Sequence, residues 1–108
     1  MNINHLNDIA KEIHQINKDK GFYDEERNIG ELLALIHSEV SEALEADRNN
    51  NYDLRKPDCF QAELTDIIIR TLDLAAYIKE TKRMDIDQMI RHKMATNRNR
   101  PYKHNKNY

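Results

Sequence analysis

Helix breakers are scarce in this chain, with two glycines and two prolines in 108 residues. An all-β domain needs turn residues roughly every 8 to 12 positions, so long helices are the architecture that survives. The single cysteine, Cys59, permits no internal disulfide and no cysteine-based zinc site, and it is simplest in a reducing compartment. Tryptophan is absent, and no apolar run approaches the ~18 residues of a membrane span. The opening MNINHLNDIA has neither the basic segment nor the apolar core of a secretory signal. A cytoplasmic protein with no membrane association is expected. Neither sign of charge dominates. Seventeen Lys and Arg against nineteen Asp and Glu leave −2, which argues against both a globally basic nucleic-acid binder and an acidic disordered chain. At this length one core can form, not two, so residues 1–108 are read as a single domain, with 101–108 an extended or flexible tail.

What is present is charge, at 33% of residues, with a mean hydropathy of −0.91. It is unevenly distributed. Residues 1–66 hold fifteen acids and seven bases, residues 67–108 four acids and ten bases, and no acid follows Asp87. The apolar residues fall at helical spacing in four stretches. Ile3, Leu6, Ile9, Ala10, Ile13 and Ile16 place a first helix over Asn4 to Asp19, stopped by Gly21. A second runs from about Asn28 to Arg48. Pro57 suits the first turn of a third, continuing to about Thr81. Asp85 and Gln88 form a capping-box pattern for a fourth, which ends before Pro101. The expected fold is all-α, four main helices in an antiparallel bundle.

Two of these helices carry acids in unusual places. In the second, the broad apolar arc of Leu32, Leu33, Leu35, Ile36, Val40, Ala43, Leu44 and Ala46 includes Glu39, with Glu42 at its edge, whereas Glu45 projects to the opposite side. A carboxylate buried without a partner costs several kcal/mol or protonates, so this pair calls for a compensating charge. The third is apolar over more than half its circumference, and its remaining strip holds Glu63, Asp66, Arg70, Asp73 and Tyr77. Such a strip most often faces water. Paired with the second helix in a hairpin, however, it would bring Glu39, Glu42, Glu63 and Asp66 together, an all-oxygen ligand set for Mg²⁺, with Mn²⁺ a substitute. In the fourth helix Ile86, Met89, Ile90 and Met94 mark a core face that includes Lys93 and Asn97, with Arg100 a turn beyond. Carboxylates, a metal and cations together suit polyphosphate chemistry.

The segments LIHSEVSEALEADR (35–48), FQAELTDIIIRTLDLA (60–75) and KMATNRNRPYKH (93–104) resemble the MazG-like, all-α nucleoside triphosphate pyrophosphohydrolase superfamily. That pattern, E-x-x-E followed by E-x-x-D, is met by Glu39, Glu42, Glu63 and Asp66. The resemblance implies Mg²⁺-dependent cleavage between the α- and β-phosphates of a nucleoside triphosphate, giving the monophosphate and pyrophosphate. The four acids would be metal ligands and catalytic groups, with Lys93, Asn97 and Arg100 on the phosphates. Which carboxylate takes the proton of water stays open, Glu42 being favoured by its place at the arc's edge. Arg70 has two readings, as an accessory site residue or as a residue that orients carboxylates. Phe22 and Tyr23 either stack on a base or cover the end of the core, and Tyr102 and His104 are further candidate contacts. The resemblance also implies a homodimer or dimer of dimers, as does the breadth of apolar surface on the third helix.

Readings from other classes compete. A di-iron bundle needs Glu-x-x-His, which the sequence lacks. A non-enzymatic helical interaction module is the main alternative. A nucleic-acid-binding accessory protein resting on RNRNRPYKHNK would need those cations to face outward.

Overall fold

The computed structural model describes residues 5–102. Among them the fold is all-α, with α1 at Leu6–Asp19, α2 at Ile29–Arg48, α3 at Phe60–Tyr77, the single-turn α4 at Lys79–Lys82 and α5 at Ile86–Arg98. Asn4, where the first helix was expected to begin, and residues 103–108 of the expected tail, with His104, lie outside the described residues.

Local chemistry accounts for most boundaries. Asn28 caps α2, its side chain accepting the Glu31 N–H at 3.2 Å, and Asp85 caps α5 by accepting the Gln88 N–H at 3.1 Å. Helices α1 and α2 end alike. Gly21 at φ 88° and Asn50 at φ 57° enter the left-handed region, and the next amide reaches back a full turn, Phe22 to Asn17 at 3.0 Å and Asn51 to Ala46 at 2.8 Å. The third expected helix is shorter than its apolar pattern. Pro57 stands in the preceding loop and Cys59 is the N-cap, while the helix stops at Tyr77 because Ile78 turns to ψ 3°. Arg83, at φ 57°, then closes α4, with the Met84 N–H on the Lys79 carbonyl at 3.1 Å. A left-handed arginine carries no sequence signal of the kind glycine or asparagine gives.

Helix α3 is central, packed against α2 along one side and α1 along another. Helices α2 and α3 run in opposite senses, since Asn51 meets Phe60 across the connection while Glu39 meets Arg70 near the other end. The buried apolar residues are mostly small: Ala10, Ala43, Ala46, Cys59 and Ala75 with Leu32 and Leu72. Acids are buried beside them, namely Glu39, Glu63, Asp73 and Asp87. Asp87 has a structural task. Its carboxylate accepts the N–H groups of Leu6 at 3.0 Å and Asn7 at 3.1 Å, and the Asn7 side chain in turn bonds Asp85 and the Ile86 N–H. The two helix starts therefore clasp each other.

Beyond that clasp the expected packing of the last helix is not found. Among the described residues helix α5 has α1 as its one substantial neighbour, and every residue from Gln88 to Arg98 is exposed. Met89, Ile90 and Met94 form no core face here, and Lys93 and Asn97 point outward with them. The polar strip of α3 is likewise inverted relative to the ordinary pattern. Glu63 and Asp73 are buried and Asp66 half-buried, whereas Leu64, Ile68 and Ile69 face out, Ile68 with 56% of its surface accessible. On α2, Leu33, Val40 and Leu44 are about half exposed.

Candidate metal centre between two helices

The inward strip of α3 meets the acid-bearing arc of α2. Glu39 from α2 and Glu63 and Asp66 from α3 each present a carboxylate oxygen, and the three oxygens lie within 4.8 Å of one another. Spacing explains the convergence. Glu63 and Asp66, three residues apart, share one helical face, and the antiparallel crossing sets Glu39 opposite them. Glu39 and Glu63 are only 7% exposed. Glu42, the fourth expected member, stands outside this set and is exposed, but it lies close enough for its charge to act on Glu63.

The electrostatics are unfavourable for an all-protein arrangement. Burial pushes the Glu63 carboxyl up to about 7, with the nearby Glu42 carboxyl and the charges of Glu39 and Asp66 adding to the effect. Arg70 supplies one cation, its Nε donating to Glu39 Oε1 at 2.8 Å. Arg70 thus pairs with Glu39 across the two helices and also borders a cleft beside the acids, so both of its readings keep a geometric basis. Oε2 of Glu39 and Oε2 of Glu63 remain buried with no hydrogen-bond partner among the described residues. An uncompensated carboxylate oxygen in that setting costs more than a typical hydrogen bond contributes, and a divalent cation on oxygen ligands would relieve both at once.

Three clefts open onto these acids. The first, about 470 Å³, is bordered by Glu39, Asp66, Arg70, Arg27 and the apolar groups of Phe22, Tyr23, Leu35 and Ile69. The second, about 480 Å³, runs from Asp66 to the loop that carries Arg55 and Lys56. The third, about 300 Å³, is acidic, lined by Glu42, Glu45, Asp58 and Glu63. Glu45 is exposed as expected, yet it borders the same cleft as Glu42 and Glu63 instead of facing away from them. Lys93, Asn97 and Arg100 line none of the three, and all are exposed, as is Tyr102.

One constellation was not anticipated. Asp73, a turn below Arg70, is buried between His14 of α1, whose Nδ1 lies 2.8 Å away, and Tyr23, whose hydroxyl donates at 2.6 Å. Burial first, then that bond, holds the Tyr23 phenol above its ordinary range. His14, Tyr23 and Tyr77 pack ring against ring, and the Tyr77 hydroxyl both accepts the Arg27 N–H and donates to the Arg27 carbonyl. Tyr23 is thereby committed to the end of the core, while Phe22 stays exposed at the cleft edge. The available signal was His14 itself, one turn after Ala10 on the packed side of its helix.

No family model, curated protein or solved structure matches this chain. Among the described residues no helix is long and apolar enough to cross a membrane.

Proposed function

We propose that the protein is a Mg²⁺-dependent nucleotide pyrophosphohydrolase, cleaving a nucleoside triphosphate between its α- and β-phosphates. One observation carries the reading: two buried carboxylate oxygens without partners among the described residues, on acids from two helices, with a third acid beside them. The acid-x-x-acid spacing and the MazG-like resemblance agree with it. Glu39, Glu63 and Asp66 would hold Mg²⁺, or Mn²⁺ in its place. When bound, the ion neutralises phosphate charge and lowers the pKa of a coordinated water.

The chain's own residues divide the remaining work. Glu42, outside the three-acid set, would take a proton from the attacking water. Water adds at the α-phosphorus, the bond from that phosphorus to the α–β bridging oxygen breaks, and that oxygen leaves with pyrophosphate. Arg70 keeps Glu39 oriented. The first cleft, apolar on one wall and lined by Phe22, suits the nucleoside. Lys93, Asn97 and Arg100 are phosphate contacts that a second copy would deliver. The outward apolar residues of α2, α3 and α5 support a homodimer or dimer of dimers that completes the antiparallel bundle.

Incubation of the purified protein with a nucleotide panel and Mg²⁺, read by separate pyrophosphate and orthophosphate assays, tests the assignment. Pyrophosphate release from at least one triphosphate, abolished by EDTA, is expected. Orthophosphate as the first product would move the cut to the β–γ bond and sink it. A second reading draws on α5, whose Arg91, Lys93 and Arg98 are all exposed: a nucleic-acid-binding accessory protein or, with its apolar surface, a non-enzymatic interaction module. Salt-sensitive binding to random duplex without nucleotide turnover would favour it.

A further inference from the structure

The three clefts around the acids differ in charge, and the difference gives a polyphosphate one direction to run. Glu42, Glu45 and Asp58 make the third cleft repel it. The first combines an apolar wall of Phe22, Leu35 and Ile69 with two arginines that are already engaged, Arg70 on Glu39 at 2.8 Å and Arg27 on the Phe22 carbonyl at 3.0 Å. The second leads from Asp66 to Arg55 and Lys56. Arg55 is already engaged, its Nε and Nη2 each 2.9 Å from the two Asp53 oxygens. Lys56 makes no ion pair among the described residues. Its backbone is nevertheless fixed, the N–H on the Asp53 carbonyl at 2.9 Å and the carbonyl accepting the Cys59 N–H at 3.4 Å.

Building on the pyrophosphohydrolase reading, we propose that Lys56 binds the β- and γ-phosphates, the part of the nucleotide that departs as pyrophosphate, in the cleft beside Asp66. The substrate then lies across the acids with its base end toward Phe22 and its charged end toward the loop before α3. An ammonium with three donors suits a phosphate chain, contributing charge-assisted hydrogen bonds without demanding one orientation. Lys56 is exposed and makes no ion pair among the described residues, its charge acting weakly on Asp53, which Arg55 already holds, so its removal should leave the fold intact.

Calorimetric titration of inorganic pyrophosphate into the full-length protein in excess Mg²⁺ reads this contact directly. Lys56→Ala should weaken binding roughly tenfold or more, Lys56→Arg should retain most of it, and Lys82→Ala, an exposed lysine on α4, should behave as the parent. Titration of a nucleoside monophosphate should be little changed by Lys56→Ala. Parent-like pyrophosphate binding by Lys56→Ala, with EDTA still abolishing it in both proteins, would overturn the role of Lys56 and leave the enzymatic reading standing. Equal losses in Lys56→Ala and Lys82→Ala would also overturn it, as a general charge effect. No Mg²⁺-dependent pyrophosphate binding by the parent protein would remove both.

Discussion

Glu63 is the residue on which the acid cluster can be tested without any substrate. Its folded-state pKa, about 7, lies above the ordinary 4.5. A raised acid pKa means that the folded state prefers the proton. The stabilisation is full below about 4.5, declines as pH rises through 7, and is gone above it. Metal-free protein should therefore lose melting temperature between pH 5 and about 8, and Glu63→Gln, neutral throughout, should flatten that slope. Mg²⁺ should raise the melting temperature most at the alkaline end, where the acids are ionised and the native state binds the ion best. Glu39→Gln should weaken the Mg²⁺ response, whereas Glu31→Gln, exposed in the first turn of the same helix, should not. Glu45 would be a poor control because it borders the acidic cleft. A slope unchanged by Glu63→Gln would show that the pH dependence arises elsewhere.

Among the helices, α5 depends most on a few polar bonds. Asp87 accepts the Leu6 and Asn7 amides in the first turn of α1, joining elements about eighty residues apart, while the rest of α5 has little cover among the described residues. Asp87→Ala should cost about 1–3 kcal/mol, worth roughly 4–8 °C of melting temperature per kcal/mol in a domain of this size. Hydrogen exchange should show the loss concentrated in α5 and the first turn of α1, with α2 and α3 protected as before. Uniform loss of protection would mean that α5 is integral to the core. The elements were largely legible in the sequence because capping and periodicity are local: Asn28, Asp85 and Gly21 mark ends, and the acid-x-x-acid spacing puts Glu39, Glu63 and Asp66 where a helix hairpin brings them together. What lay beyond reading depends on tertiary placement. An apolar stripe says that Met89, Ile90 and Met94 seek cover, not that this chain supplies it, so the inward position expected for Lys93 and Asn97 did not follow. Glu45 sits across the helix from Glu39 on a helical wheel, yet the loop carrying Asp58 folds back to make one cleft of Glu42, Glu45 and Glu63. The break at Ile78 and the left-handed Arg83 had no residue-type signal at all.

At the scale of the whole molecule, the distribution of surface is the unresolved tension of a single copy. Acids on α3 point in, apolar residues on α2, α3 and α5 point out, and Lys93 and Arg100, expected to meet the acids, line none of the three clefts beside them. Large outward apolar surface on a 108-residue chain favours association, and a closed twofold arrangement would let α5 of one copy cover the α2–α3 face of another. Sedimentation at micromolar concentration should find a dimer or tetramer. Ile68→Asp and Leu44→Asp, both at well-exposed apolar positions, should shift it toward monomer, and an active monomer of the parent protein would defeat the proposal. The same association decides whether the basic helix acts on its own acids or on its neighbour's. Glu39→Gln and Lys93→Ala subunits should each be inactive alone. If sites are shared, mixing them with subunit exchange creates hybrids in which one of two sites has intact acids and an intact lysine. With random pairing, half of the dimers are such hybrids, so about one quarter of the parent activity should return. No recovery, with exchange verified by mass, would place Lys93 on the acids of its own chain and require α5 to swing inward when nucleotide binds.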